Sequence, residues 1–356
     1  MKRFNIYAAL LLLLVSTAAC NSGKKTDAGN NTDCEYARDP LIRLGSSPCL
    51  TFFEGKYYYC QSSYVKVSLR CAGKLNELYD APEHTIFYSG KDHQISAPRM
   101  YHLDDAWYIY YSSDDGDLSV RNIHIMRNPA RSPLEGSWEH KAVLKTGIVK
   151  SVHPSIFDRD GQLYLFFSGS MQKEDATIWD IYCCRLSDPW TISSRAESIL
   201  SARLEWECQW AIGDTEQDIT PKREVEAPVC IYSKDKSKVL LYYAASEFLS
   251  QYYCEGMAFS DASADLTKAA SWTKLPNPVF IQKPGSNLHG TGHISFVDGS
   301  DGEDLYFVYH AFNGDPVVNR SNRCPRIQKW SWDENGIPAL GTPDSGSTPL
   351  PSWEQK

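Results

Sequence analysis

The sequence predicts an all-β fold, and within that class a five-bladed β-propeller. The first observation is a phrase written five times: SPCLTFFEGKYYYCQSS (47–63), APRMYHLDDAWYIYYSS (97–113), HPSIFDRDGQLYLFFSG (153–169), APVCIYSKDKSKVLLYYAAS (227–246) and GHISFVDGSDGEDLYFVYHA (292–311). Each copy is a short apolar run, a polar turn and a second run dense in aromatic and aliphatic residues, the pattern of a β-hairpin. The second observation is that these second runs, such as LYLFF and VLLYY, are apolar on both faces and so must be covered on both. The third is spacing. Aligned on Pro48, Pro98, Pro154, Pro228 and His293, the copies recur every 50 to 75 residues or so, which points to small antiparallel sheets repeated around an axis.

In each repeat the hairpin is followed by a further strand: VKVSLRCAG (65–73), IHIMRNPAR (123–131), IYCCRLSDP (181–189) and GMAFSDASA (256–264), with RIQKWSWDENG (326–336) closing the last. These are short, alternate in polarity and stop at polar or proline-bearing turns. Each repeat therefore holds three or four strands. Trp138 and Trp272, in the cognate contexts GSWEH and ASWTK, are expected to pack within their repeats. Trp330 and Trp332 alternate in the last strand and are expected in the core.

Ahead of the repeats stands MKRFNIYAALLLLLVSTAAC. Lys2 and Arg3 make a basic start, residues 6–19 are apolar but shorter than a spanning helix needs, and small residues lead to Cys20. Thr-Ala-Ala-Cys resembles a bacterial lipobox, implying cleavage before Cys20 and lipidation of its thiol. The expected organisation is a lipoprotein signal peptide at 1–19, the lipidated Cys20 and a flexible tether over 20–34, the propeller over 35–345 and a C-terminal tail over 346–356. The expected location is the bacterial cell envelope, on the periplasmic or surface face of the outer membrane, with the membrane met through the lipid anchor alone.

The net charge is −8 and no basic run occurs, which argues against nucleic acid as a partner. The chain has 11 cysteines but no CxxC pair, so a zinc site is not expected. Cys60 and Cys71 fall on neighbouring strands and are candidates for a bridge. Cys183 and Cys184 are adjacent and should face opposite sides of their strand. Nothing in the sequence asks for an oligomer.

In a propeller the innermost strands begin around one channel mouth, so the residues opening the five phrases should converge there. They are Ser47, Arg99, His153, Glu226 and His293. Glu226 can carry a proton, His153 can exchange one near neutrality, and Arg99 can grip a carboxylate bidentately. Trp179, Trp206 and Trp210, between the third and fourth repeats, are candidates for stacking on a ligand's ring.

With those residues in view, the sequence resembles family-43 glycoside hydrolases over roughly residues 39–342. DPLIRLGSSPCLTFFEGKYYY is similar to that family's opening Asn-Pro-Leu, Ala-Asp-Pro and Gly-Tyr-Tyr-Tyr. SAPRMYHLDDAWYIYYSSDDG is similar to its Trp-Ala-Pro-(Asp/Glu) segment, SVHPSIFDRDGQLYLFFSG to Ile-Asp-Pro-Ser, VEAPVCIYSKDKSKVLLYYAAS to Glu-Ala-Pro, and HGTGHISFVDGSDGEDLYFVYHA to Gly-His-Asn-Ser. The resemblance implies a five-bladed propeller and inverting hydrolysis of arabinose- or xylose-containing polysaccharide by three carboxylates, with no cofactor. Carried over, the general acid falls on Glu226, the base position on Ser47, the modulator position on His153 and the acidic position of the second blade on Arg99. Asp39 also precedes a proline, but its distance from the Gly55 turn suits the preceding Asn-Pro position.

Only one of the three carboxylates is therefore kept. His153 is the candidate substitute base. His293 corresponds to a residue that in the family holds a central calcium, making it a candidate for substrate or structural calcium. Two functions follow: a hydrolase of polysaccharide side chains, of arabinose/xylose type or uronic, with altered acid/base groups; or an inactive propeller that binds glycan at the cell envelope.

Overall fold

In the computed structural model, which describes residues 36–355 except 91, 92, 175, 210–222, 298, 300, 301, 303, 315–321 and 345, the two-faced middle runs account for the architecture. The leader, Cys20, the tether and Trp210 lie outside the described residues.

Blade 1 comprises β1 (Cys49–Phe53), β2 (Lys56–Ser63), β3 (Lys66–Ala72) and β4 (His84–Tyr88), an antiparallel meander. Blade 2 repeats it with β5 (Ser96–Leu103), β6 (Ala106–Ser113), β7 (Asn122–Asn128) and β8 (Glu139–Leu144). Blade 3 has β9 (Lys150–Arg159), β10 (Gln162–Ser170) and β11 (Ile178–Asp188), with short β12 (Thr191–Ile192) and β13 (Glu197–Leu200) pairing to β11. Blade 4 has β14 (Arg223–Tyr232), β15 (Lys238–Ala245), β16 (Cys254–Asp261) and β17 (Thr273–Lys274). Blade 5 has β18 (Leu288–Phe296), β19 (Tyr306–Asn313) and β20 (Arg323–Lys329), followed by the ribbon β21 (Ser331–Trp332) and β22 (Pro338–Ala339). The inner strands β1, β5, β9, β14 and β18 each pack on the next, and β18 returns to β1, which closes the five-bladed propeller.

Among the described residues, a hydrophobic core lies between each pair of neighbouring blades and holds the ring. Along β10, Tyr164 and Phe166 enter the core shared with blade 4, while Leu165 and Phe167 enter the core shared with blade 2. Along β15, Val239, Leu241 and Tyr243 face blade 3, while Leu240 and Tyr242 face blade 5. A period of two therefore feeds two cores at once, which is why these strands carry no polar face. Cys183 and Cys184 obey the same rule, one in each core beside blade 3. Trp138 and Trp272 pack into cores, Trp330 is buried and Trp332 packs beside it.

Cys60 and Cys71 are not bridged. The β2–β3 register sets Cys60 opposite Leu69 and Cys71 opposite Tyr58, and neither is in a disulfide. The C-terminal segment is docked: Leu350 is buried in the core between blades 5 and 1, Trp353 stacks on Phe52, and the Glu354 carboxylate accepts from Leu75 N at 3.1 Å.

Candidate active site

The inner strands open with a shared backbone device. Ser47, Ala97, His153, Ala227 and His293 occupy equivalent positions, and each holds a left-handed φ between 49° and 57°. None is glycine, so each carries a steric cost that the surrounding ladder must offset. Beside them the hairpin register slips, between Ser96 and Arg99, Phe166 and Ser168, Glu226 and Val229, and Gly292 and Ser295. Bulges of this kind re-aim side chains, here toward the axis.

The device also sets which expected residues meet. In blades 2 and 4 the left-handed residue is alanine, so Glu226 comes from one position earlier and Arg99 from two positions later. Glu226 is 5% exposed and reaches the mouth. Tyr253 donates its hydroxyl to Glu226 Oε1 at 2.5 Å, and His153 Nδ1 lies 3.3 Å from Glu226 Oε2. The same His153 nitrogen is 3.2 Å from Ser168 Oγ, which itself accepts from Ala227 N at 2.9 Å. Burial lowers the His153 pKa, opposed by Glu226 and reinforced by Arg99, Arg121 and Arg323.

Arg99, expected at the mouth, lies behind it. It is 3% exposed, is absent from the cavity wall, and donates Nη2 to Ile294 O at 2.9 Å. It faces inward because two positions beyond the left-handed residue the strand is already within the closed ring. Ile294 also donates its N–H to Glu255 Oε1 at 2.8 Å, and burial pushes the pKa of Glu255 up to about 8.

A cavity of about 500 Å³ opens over this group. Ser47, His153, Glu226 and His293 line it, as do Trp179, Tyr253, His310, Arg121, Lys150, Arg323 and Glu224. Glu224 is two residues from Glu226 on β14 and shares its face, while Val225 between them is buried in the blade 3–4 core. Trp179 pairs with Glu224 where β11 and β14 run parallel. Trp206 instead stacks on Tyr243 and packs against that core, away from the cavity wall. Asp39 is also elsewhere: it forms an ion pair with Arg326.

Three histidines crowd the axis. His153 meets His293 edge to face at 4.9 Å between ring centres, and His293 lies 5.7 Å from His310. His310 stacks on Tyr253 and accepts from Ser47 N at Nδ1, 3.3 Å away. Burial holds both His293 and His310 well below the ordinary histidine range. These residues do not fit calcium, which takes six to eight oxygen ligands. Imidazoles and the Arg99 guanidinium surround His293, and no cluster of three metal-binding side chains occurs among the described residues.

Sequence reasoning missed Ser168, His310, Tyr253, Glu224 and the cationic wall. Two of these left a signal. Ser168 in LYLFFSG and His310 in LYFVYHA are polar residues near the ends of otherwise apolar middle strands, facing the opening residues across the hairpin. Tyr253, Arg121 and Arg323 come from outer strands and loops, Lys150 opens β9 ahead of the repeated phrase, and none of the four left a signal.

A carboxyl group fixed at the foot of an axial, polar cavity with aromatic walls, on a five-bladed propeller, defines a sugar-cleaving propeller. The chain belongs to glycosyl hydrolases family 43, whose pattern matches residues 37–338, and it is an O-glycosyl hydrolase of that family. It is 31% identical over 360 residues to the extracellular exo-α-(1→5)-L-arabinofuranosidase of Streptomyces avermitilis, covering 97% of this chain and 70% of the relative. It is 28% identical to α-L-arabinofuranosidase 43 of Humicola insolens, covering 98% and 70%. The crystal structure of an α-L-arabinofuranosidase from Lactobacillus brevis superposes with a TM-score of 0.74 at 24% identity, covering 87% of this chain and 97% of that one.

Proposed function

We propose that this enzyme hydrolyses glycosidic bonds to side-chain sugars of a polysaccharide, of arabinose/xylose or uronic type, with Glu226 as general acid. The observation that carries this is Glu226 itself: buried at the cavity foot and clamped by Tyr253 and His153, within a Val-Glu-Ala-Pro segment that resembles the family's acid-bearing one. The arabinofuranosidase relatives support the sugar class. A buried carboxyl held from both sides loses little entropy when it delivers its proton to a leaving oxygen.

His153 fills the modulator position. Inversion needs the acid and base about 6.5–9.5 Å apart with sugar and water between them. His153 touches Glu226, so it orients the acid and does not face it across a sugar. Ser47 marks the position from which a base would act, and a serine hydroxyl takes no proton from water at neutral pH. Turnover is therefore slow relative to a three-carboxylate site. The absence of a carboxylate at Ser47 favours the second reading, a propeller that binds glycan without cleaving it. The expected setting is an exported lipoprotein, monomeric and anchored through Cys20.

The test is release of aglycone from aryl arabinofuranosides, xylosides and uronides. Glu226→Gln is expected to lower the rate by about 10²–10⁴-fold. Ser47→Asp combined with His153→Asp is expected to raise it on arabinofuranosides. Binding with no release, unchanged in Glu226→Gln, would instead establish the binding propeller.

A further inference from the structure

We propose that the sugar bound in this cavity carries an anionic group, a carboxylate in first place, and that Arg323 is its grip. The inference rests on the glycosidase reading of the site and names its substrate class as uronic.

The first support is the state of Arg323. It stands on the cavity wall with its guanidinium over the rings of Phe248, 5.4 Å to the centre, and Phe312, 5.8 Å. Aromatic faces on a guanidinium hold the plane still while leaving its N–H edge to another partner. No acceptor among the described residues takes a hydrogen bond from that edge, and the influences on the group are burial and the charges of Tyr253, Glu226 and Tyr64. A planar fork of donors, immobilised and open to a cavity, matches the two oxygens of a carboxylate.

The second support is the charge of the wall. Arg121 and Lys150 line the cavity with Arg323. Arg121 donates to Gln94 through both terminal nitrogens, and Lys150 donates to Glu174 O at 2.8 Å, so both are satisfied by neutral acceptors. Among the described residues none of the three cations has an ion-pair partner. The carboxylates on the wall are Glu224 and Glu226. Among the described residues, three cations on this wall thus face two carboxylates, in a chain whose net charge is −8. Ser47 and His153 stand where two further carboxylates would have reversed that balance. The substitutions that weaken the site for inverting hydrolysis of a neutral pentoside remove the repulsion an anionic sugar would meet.

The third support is covalent geometry. In a pyranuronate the carboxylate is on C5, separated from the anomeric carbon by the ring oxygen alone. An anion grip and a general acid must then share one small cavity, as Arg323 and Glu226 do. Glucuronic acid differs from xylose, and galacturonic acid from arabinopyranose, by that C5 substituent, so each pair isolates the charge.

The experiment is calorimetric titration of the full chain with glucuronic acid against xylose, galacturonic acid against arabinose, and galactose 6-sulfate as a second anion. The expected result is binding of at least one uronic acid about tenfold or more tighter than its neutral counterpart, with the ratio falling as salt rises. Arg323→Gln is expected to collapse that ratio and Arg323→Lys to restore part of it, with melting temperature checking that both variants fold. Equal binding of charged and neutral sugars, or a ratio untouched by Arg323→Gln, overturns the inference and leaves the glycosidase reading standing. Tighter binding of the sulfate ester overturns the choice of carboxylate. Binding of none of these sugars overturns the inference together with the site.

Discussion

Glu255 sits behind the cavity with no exposed surface, beside Ile294 and Arg99, and burial pushes its pKa up to about 8. A carboxyl whose pKa is raised on folding binds more protons in the folded chain than in the unfolded one between the two values. Its contribution to stability is then fully present below about pH 4.5 and is lost as pH climbs toward 8. Glu255→Gln keeps the shape and removes the titration. It is expected to flatten the fall in unfolding free energy between pH 5 and 8 and to stabilise the alkaline end by a few kcal/mol, on the order of one per pH unit. Denaturant melts at intervals across that range check this, and an unchanged slope would contradict it. At this scale the sequence was only partly readable. Glu226 and His153 were found because prolines mark the strand openings. Arg99 was misplaced because proline alignment ignores the bulge that sends side chains on either side of it in different directions. Arg323 and Tyr253 could not be found, because their approach to Glu226 depends on how outer strands and loops fold back over the mouth.

Strands show the opposite balance. The hairpins and the two-faced middle runs were legible because a period of two with both phases apolar admits one interpretation, a strand between two cores. The bridge expected between Cys60 and Cys71 failed for a matter of register: adjacency of strands does not specify which residues face, and here the cysteines miss by two positions. The shared cores imply that middle-strand substitutions are felt across an interface. Tyr242 is fully buried in the blade 4–5 core, where it meets Phe296 edge to face. Tyr242→Ala is expected to cost about 3–5 kcal/mol, as for other large buried aromatics. An exposed neighbour of the cavity such as Leu118 should cost less than about 0.5 kcal/mol when replaced by Ala. Chemical denaturation of the two variants checks the contrast. Gly256 is a sharper case, since a Cβ there would lie 2.5 Å from Tyr243 Cζ and 2.6 Å from the Trp206 ring. Gly256→Ala is expected to displace Trp206 and change its fluorescence.

For the molecule as a whole, the decisive contacts are those that close the ring. Ala37 donates its N–H to Thr348 O at 2.7 Å, Tyr36 pairs with Pro349, and the buried Arg326 holds Asp39. Asp39→Ala leaves that guanidinium buried without its partner and is expected to cost about 3–5 kcal/mol. The change lies outside the catalytic cavity, so the variant's activity at a temperature where it is folded should match the parent. Five blades were countable from the sequence because the phrase is written five times. The docking of the C-terminal segment was not, since Leu350 and Trp353 stand in a stretch with no repeat to compare them with.

Because every apolar seam belongs to two neighbouring blades, no blade of the propeller can be lifted out without stripping two others. Yet the two ends of the propeller, at Tyr36 and Pro349, pair beside each other at one seam. Joining them with a short linker and reopening the polypeptide between any other pair of blades would leave every seam occupied, so a rearranged chain that begins at a different blade should still find the same circle.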